Sequence, residues 1–252
     1  MSEQFDVVIL AAGIGARIKG SGNSLPKCLL KLDKQQTILS RQINQLFAVK
    51  KVDRIIIATG FEHDSIEEYL KAEFDNITQE RILLEYNPFF SISNNLVSLW
   101  NIRGLIATTG NGIMISNGDN VYGMEFSDLA DDLPPDNLVV IRKKGEYDGD
   151  DMKVVIKDDK ILQINKNITS NNADGEAIGL SKFNATGKKM LFRVLDDMVQ
   201  NPRHLSSFYL RAFEYLIEFE GLSLFPHDCQ DMFFEEIDFP DDYKKVVQSL
   251  PK

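Results

Sequence analysis

Apolar residues in the first half of the chain follow two alternating rhythms. Asp6-Val-Val-Ile-Leu-Ala-Ala12 is a short continuous apolar run closed by glycine, the pattern of a strand covered on both faces. A loop rich in Gly and Ser follows, from Gly13 to Leu25. Ile38, Leu39, Ile43, Leu46 and Phe47 then recur at helical spacing between Thr37 and Val49, with Thr37 placed to cap the helix. Arg54 to Thr59 repeats the buried-strand pattern, 63–72 reads as a helix, 82–86 as a strand and 94–106 as a helix. Gly112-Ile-Met-Ile-Ser116 is a further strand, ending at Asn117-Gly-Asp-Asn120. Strands alternating with helices predict an α/β fold, an open sheet with helices on both faces.

After Pro134-Pro135 the pattern changes. Residues 138–142, 153–156, 161–164 and 177–183 read as strands, some with the polar alternation of a sheet face near water. Helices return at 185–199 and 207–219, and a last one starts at Pro240, since Pro suits a first helical turn. No repeat, low-complexity tract or linker divides the chain. One domain over 1–252 is expected, with a first half to residue 120 and a second half, 121–252, completing the same sheet.

Composition narrows the classes. With 252 residues, 43% hydrophobic and 26% charged, the chain can bury a substantial core and is too apolar to be disordered. No apolar run approaches the roughly 18 residues of a membrane span, so no membrane partner is expected. A net charge of −10 argues against general nucleic-acid binding, which needs a basic face. The N-terminus has no positive segment before its short apolar run, and Cys28 and Cys229 form no CxxC pair. A cytoplasmic location without disulfides is therefore expected.

The chemistry concentrates in Leu10-Ala-Ala-Gly-Ile-Gly-Ala-Arg17, followed by Pro26-Lys27-Cys-Leu-Leu30. A strand ending in Gly-x-Gly lets backbone N–H groups approach a phosphate closely, and Arg17 and Lys27 add full positive charges. The dinucleotide fingerprint fails at its third glycine, where Ile18 stands, although Asp33 lies at a suitable distance. Walker A fails because Ser21 follows Gly20 where Lys is required. The remaining pattern, L-A-A-G-x-G-x-R with P-K-x-L downstream, resembles the sugar and alcohol-phosphate nucleotidyltransferases. That resemblance implies a single-domain Rossmann-like fold with a mixed, mostly parallel sheet flanked by helices. In it Leu10, Ala11, Ala12, Gly13, Ile14, Gly15 and Ala16 wrap the triphosphate, while Arg17 and Lys27 are the catalytic cations. The bland alternative is a strand-to-helix turn with a solvated lysine.

The resemblance continues at Ile56-Ile-Ala-Thr-Gly60, a strand with a glycine turn, and in Tyr86-Asn87-Pro-Phe-Phe90 with Ser93-Asn94-Asn95, which implies base recognition. An Asn amide offers both a donor and an acceptor to a pyrimidine edge, although Asn94 or Asn95 could equally just cap the helix beginning there. Asp119, at a strand end, and Asp238, in Glu235-Glu-Ile-Asp238, are the candidate metal ligands, with Asp119 also on the nucleotide side. Two carboxylates together with substrate phosphates are a usual way to hold Mg²⁺.

Asp151-Met-Lys153, Lys166 and Asp174-Gly-Glu176 resemble, in order, the phosphocholine and phosphonate cytidylyltransferase-like branch. This implies CTP as donor and a small phosphorylated or phosphonate acceptor. Lys153 and Lys166 would hold the acceptor's phosphate, with Asp174 and Glu176 near its other end. Choline enzymes of the branch carry a Trp where this chain reads Asp150-Asp-Met-Lys153, and no aromatic box stands out. The implied setting is cell-surface polysaccharide or phosphonate biosynthesis. A hexose 1-phosphate transferase with the same loop and a non-catalytic nucleotide-binding regulatory module are the competing readings. Asn117-Gly-Asp119 lacks the first acid of a glycosyltransferase's metal motif.

Charge is unevenly spread. Residues 1 to 34 hold five Lys or Arg against three acids, whereas 212 to 243 hold ten acids and no Lys or Arg. A basic phosphate loop and an acidic tail, most of it a solvated face, are expected.

Overall fold

The computed structural model describes residues 4–19, 25–229 and 232–250. Gly20 to Ser24 of the glycine- and serine-rich loop, Glu3, Asp231 and the side chain of Lys19 lie outside what is described.

The chain runs β1 (Phe5–Leu10), α1 (Ala16–Lys19), a 3₁₀ turn (Lys27–Leu29), α2 (Ile38–Ala48), β2 (Val52–Thr59), α3 (His63–Glu73), α4 (Asn76–Gln79) and β3 (Ile82–Tyr86). It continues through α5 (Asn95–Asn101), α6 (Arg103–Ile106), β4 (Gly112–Asn117), β5 (Asn120–Tyr122), α7 (Phe126–Asp132) and β6 (Leu138–Arg142). The remainder is β7 (Lys153–Lys157), β8 (Lys160–Asn165), β9 (Gly175–Phe183), α8 (Ala185–Val199), α9 (Leu210–Glu218), β10 (Phe225–Asp228), β11 (Phe234–Glu236) and α10 (Pro240–Ser249).

The main sheet has the order β10-β6-β9-β4-β1-β2-β3, with the β7–β8 hairpin attached to β9. Strands β4, β1, β2 and β3 are parallel, while β9 runs antiparallel to both β4 and β6. Central position explains the unbroken apolar run of β1. Val7 and Ile9 face one layer, with Leu39, Ile43 and Ile66, and Val8 faces the other, with Leu96, Leu191 and Phe213. Strands from both halves thus share one mixed sheet with helices on each side.

Thr37 caps α2 as its position predicts: its Oγ1 accepts the Ser40 N–H at 3.1 Å, and Ser40 Oγ accepts the Thr37 N–H at 2.9 Å. The helix expected over 94–106 is two helices, α5 and α6, which share one buried row of Leu99, Ile102 and Ile106. The shared row is why the spacing reads as continuous. The helix expected at 207 begins at Leu210, after a bend and turn over 207–209.

Two features position a site. The C-terminal ends of β1, β2 and β4 lie level, with Leu10 opposite Ala58 and Asn117, so the segments that follow leave from one edge. Open α/β sheets bind ligands there. In addition, the antiparallel β5–β11 ribbon and α10 pack Val121, Ile237 and Val246 against Ile18 and Leu30, which sets the C-terminal segment beside the glycine loop.

Candidate active site

At that edge lies a cavity of about 850 Å³. The glycine loop forms one wall through Leu10, Ala11, Ala12, Gly13 and Gly15, with Arg17 and Lys27 beyond it. Gly15 has φ +62°, a left-handed conformation that L side chains rarely adopt. Gly60, Ile14 and Ala16 are not among the lining residues. Gly60 works from behind: a Cβ there would lie 2.5 Å from Phe90 Cβ and 2.7 Å from the Ala12 carbonyl oxygen. Only glycine lets β2 end between the loop and Phe90.

Lys27 and the two acids come together. Lys27 Nζ donates to Asp119 Oδ2 at 2.9 Å and to Asp238 Oδ1 at 2.7 Å, and Arg17 Nη1 donates to Asp238 Oδ2 at 3.2 Å. Burial by itself would lower the Lys27 pKa, but Asp119 and Asp238 outweigh it and hold the ammonium above its ordinary range. Asp238 does not cap α10; Asp242 does so by accepting the N–H groups of Asp238 and Phe239.

A third acid, Glu236, joins Asp119 and Asp238, with one ligand oxygen from each within 4.8 Å of the others. Its signal was legible: Glu236 and Asp238 are two apart on an extended segment and share a face, while Ile237 between them is buried. Desolvation in the cleft floor and the charges of Asp119 and Asp238 push Glu236 up to about 8. Its side chain still opens to the cleft, so solvent tempers the first cause and the crowding of carboxylates is the firmer one. Three convergent carboxylates are the donor set of a hard divalent cation such as Mg²⁺. Lys27 neutralises two of them.

The turn bearing Asp119 is clamped by a residue that the sequence reading missed. Gln42 on α2, 1% exposed, donates through Nε2 to the carbonyls of Asn117 at 2.9 Å and Asn120 at 2.7 Å, on either side of Asp119.

Ser93, Asn94 and Asn95 line the cavity, but their side chains are engaged locally. Asn94 caps α5, accepting the Asn95 N–H at 2.7 Å, and Asn95 Oδ1 accepts the Tyr209 N–H at 2.8 Å. Asn87 is buried outside the lining: Nδ2 donates to Ser98 Oγ at 3.0 Å and Ser93 Oγ at 3.3 Å, and Oδ1 accepts the Phe89 N–H. Its amide shapes the 87–98 segment and does not face the cavity.

At the other end stand Glu176 and Lys166, as expected, with Arg142 and Lys144, which were not singled out. Glu176 Oε2 lies 3.2 Å from Arg142 Nη2 and 3.0 Å from Lys144 Nζ, and Lys144 also reaches Asp151 at 2.6 Å. Lys153 departs from expectation. Its side chain is buried, and its ammonium donates to the backbone carbonyls of Asp148 at 2.7 Å and Asp151 at 3.2 Å, away from the lining. Asp174 likewise extends the sheet, accepting the Ile156 N–H at 2.7 Å.

The chain is similar to several known proteins. A family model described as a domain of unknown function (DUF6564) matches residues 23–131. The chain is 26% identical over 257 residues to a choline-phosphate cytidylyltransferase of Streptococcus pneumoniae, covering 96% of this chain and 97% of that protein. It is 24% identical over 233 residues to a 2-aminoethylphosphonate cytidylyltransferase of Lancefieldella rimae, covering 92% and 88%. The solved CTP:phosphocholine cytidylyltransferase of Streptococcus pneumoniae superposes with a TM-score of 0.76 at 19% identity, over 97% of this chain and 98% of that one. Among the described residues, no helix is long and apolar enough to cross a membrane. The fold is that of the solved nucleotidyltransferase on which the chain superposes.

Proposed function

We propose that this chain transfers a cytidylyl group from CTP to a small phosphorylated or phosphonate acceptor and releases pyrophosphate. The observation that carries the reading is Lys27, at the end of a glycine loop, held between Asp119 and Asp238 on the floor of the cavity. Full-length relatives that carry the names of cytidylyltransferases support it.

The loop N–H groups cradle the triphosphate, and Arg17 and Lys27 stabilise charge that grows on the α- and β-phosphate oxygens. An acceptor phosphate is already largely ionised at neutral pH, so its oxygen attacks the α-phosphorus without a general base. The chain's task is then alignment and charge neutralisation. Arg142 and Lys166 line the acceptor end and supply its positive charge. Mg²⁺ on Asp119 and Asp238, with Glu236 beside them, would supply a hard positive charge at the phosphoryl oxygens. Both cysteines are free and buried, which suits a reducing cytoplasm.

The test is pyrophosphate release by purified protein with each of four nucleoside triphosphates, with and without Mg²⁺, against phosphorylated alcohols, phosphonates and sugar 1-phosphates. Mg²⁺-dependent release that needs CTP and an alkyl phosphate or phosphonate is expected. Turnover confined to sugar 1-phosphates, or none at all, would overturn the reading.

A further inference from the structure

Resting on that reading, we infer that the Asn117 carboxamide binds the phosphoryl end of the acceptor: its Nδ2 donates to a non-attacking oxygen and aligns the nucleophile. Asn117 ends β4, half-buried in the cavity wall and two positions before Asp119. Gln42 holds its backbone carbonyl, but its side chain is not engaged. Oδ1 is buried without a hydrogen-bond partner, and Nδ2, which stays accessible, bonds to no described group. The neighbouring amides differ. Asn120 Nδ2 donates to the Tyr122 hydroxyl and the Ile178 carbonyl, both at 2.7 Å, and Asn95 Oδ1 accepts the Tyr209 N–H at 2.8 Å.

The fold makes room for the Asn117 amide. Between the pairs Ile141–Ala177 and Val139–Ser181, β9 takes four steps where β6 takes two, and Gly179 within that bulge has φ +70°. A Cβ on Gly179 would lie 2.4 Å from Asn117 Nδ2 and 2.7 Å from its Cγ. Gly179 itself lines the cavity, so the bulge seats Nδ2 at the wall. It does so on the acceptor side: β9 flanks β4 there and leads back to Glu176, whereas β1 and the glycine loop flank β4 on the other side. Only one part of the acceptor must come so close to Asp119, the phosphoryl group whose oxygen attacks the α-phosphorus. A neutral donor suits that point. A lysine beside Asp119, Asp238 and Glu236 would be taken by their carboxylates, as Lys27 is, whereas an amide N–H remains free for a phosphoryl oxygen.

The test compares the unaltered chain with Asn117→Leu, which keeps the volume, and Asn117→Asp, which keeps the shape but not the donor. Pyrophosphate release is read with CTP and, in turn, phosphocholine and 2-aminoethylphosphonate. Asn117→Leu should lower kcat/KM for the acceptor by about tenfold to a hundredfold, the worth of one hydrogen bond to a charged group, with the KM for CTP unchanged. Asn117→Asp should fall at least as far. The factor should be alike for both acceptors, since they differ at the amine and both present a phosphoryl end. The urea midpoint of Asn117→Leu should not fall, because no side-chain hydrogen bond within the protein is lost; a purely structural asparagine would cost stability there. Full activity in either variant, clearly unequal factors for the two acceptors, a raised KM for CTP or a lowered urea midpoint in Asn117→Leu overturns the inference while the cytidylyl-transfer reading stands. Absence of release by the unaltered chain with both acceptors overturns that reading, and the inference with it.

Discussion

Replacing Lys27 by Met removes one charge and leaves a side chain of similar length, so its consequences can be followed group by group. A unit charge about 4 Å from a growing charge, at an effective dielectric of about 20, is worth about 4 kcal/mol. If Lys27 meets the phosphoryl oxygens in the transition state, its loss lowers kcat by about 10³-fold. Stability moves less. Lys27 is 14% exposed and its partners 23% and 34%, so the ion pairs lie between the surface case of about 1 kcal/mol and the buried case of about 3–5 kcal/mol. A cost of about 2 kcal/mol is expected. Its acidic partners hold the Lys27 pKa above the ordinary value, so this contribution is complete at neutral pH and disappears only in strongly alkaline solution.

A further outcome separates this account from simple damage. The lysine occupies two carboxylates that a divalent cation would use, so K27M should bind Mn²⁺, read by electron paramagnetic resonance, as tightly as the unaltered chain or more tightly. Steady-state pyrophosphate release gives kcat, and urea denaturation gives the stability change. A kcat within about threefold of the unaltered chain would refute the assignment of Lys27. Weaker Mn²⁺ binding would refute the competition.

Three other outcomes are expected. Glu236 has an ordinary value of 4.5 and is held near 8, so between about pH 4.5 and pH 8 the unfolded chain releases that proton first and stability falls as pH rises. Glu236→Gln should flatten that fall, read as urea midpoints from about pH 5 to about pH 9. Gln42→Leu removes the amide donor from both carbonyls flanking Asp119, leaving Asn117 only the Ser116 hydroxyl at 3.3 Å, and should cost about 1–3 kcal/mol and raise the Mg²⁺ concentration needed for half-maximal rate. Gln42→Glu should fail similarly, because a carboxylate cannot donate; a normal Mg²⁺ dependence in both would remove Gln42 from the site's support. Lys153→Met frees the Asp148 and Asp151 carbonyls and should raise the acceptor KM about tenfold with the CTP KM unchanged, as initial rates at varied substrate will show.

The sequence discloses what depends on local periodicity and on spacing along one segment. The central strands, the α2 cap at Thr37, the glycine loop and the start of α10 at Pro240 are all of this kind. Short elements escape it. The ribbon of β5 and β11 has three residues in each strand, too few for a rhythm, yet it carries Glu236 and leads to Asp238. Arg142 was within reach as the last residue of a predicted strand, but its value comes from Glu176 across the sheet, 34 positions away. The roles of Lys153 and Asn87 were misplaced for a common reason. Both are polar residues in segments that shape the cavity, and only the fold shows that their hydrogen bonds turn inward. The acidic run from 212 to 243 behaves similarly: Glu214, Glu220 and Glu235 meet Arg211, Arg193 and Lys245, cations from just outside the run or from other elements.

The same pairing explains how so many charges share one cavity at tolerable cost. An isolated charge in a recessed site loses hydration that nothing restores. Here Lys27 meets Asp119 and Asp238, Arg142 and Lys144 meet Glu176, and Lys166 meets Asp150, so cations wanted for phosphate are held by acids wanted for metal or acceptor. Binding a nucleotide with its cation would then exchange partners rather than uncover bare charges: Lys27 would turn to phosphate oxygens, and Asp119 and Asp238 would hold the metal. It follows that nucleotide and metal should each bind poorly alone, since either one strands half of the Lys27 cluster, and should bind together with positive coupling. That coupling is a measurable ratio of affinities and is reciprocal. Calorimetric titration of CTP with and without Mg²⁺, and of Mn²⁺ with and without CTP, should return the same factor after correction for metal–nucleotide association in solution. In K27M the factor should shrink, because the metal no longer has a lysine to displace; an undiminished factor would mean that the coupling arises elsewhere.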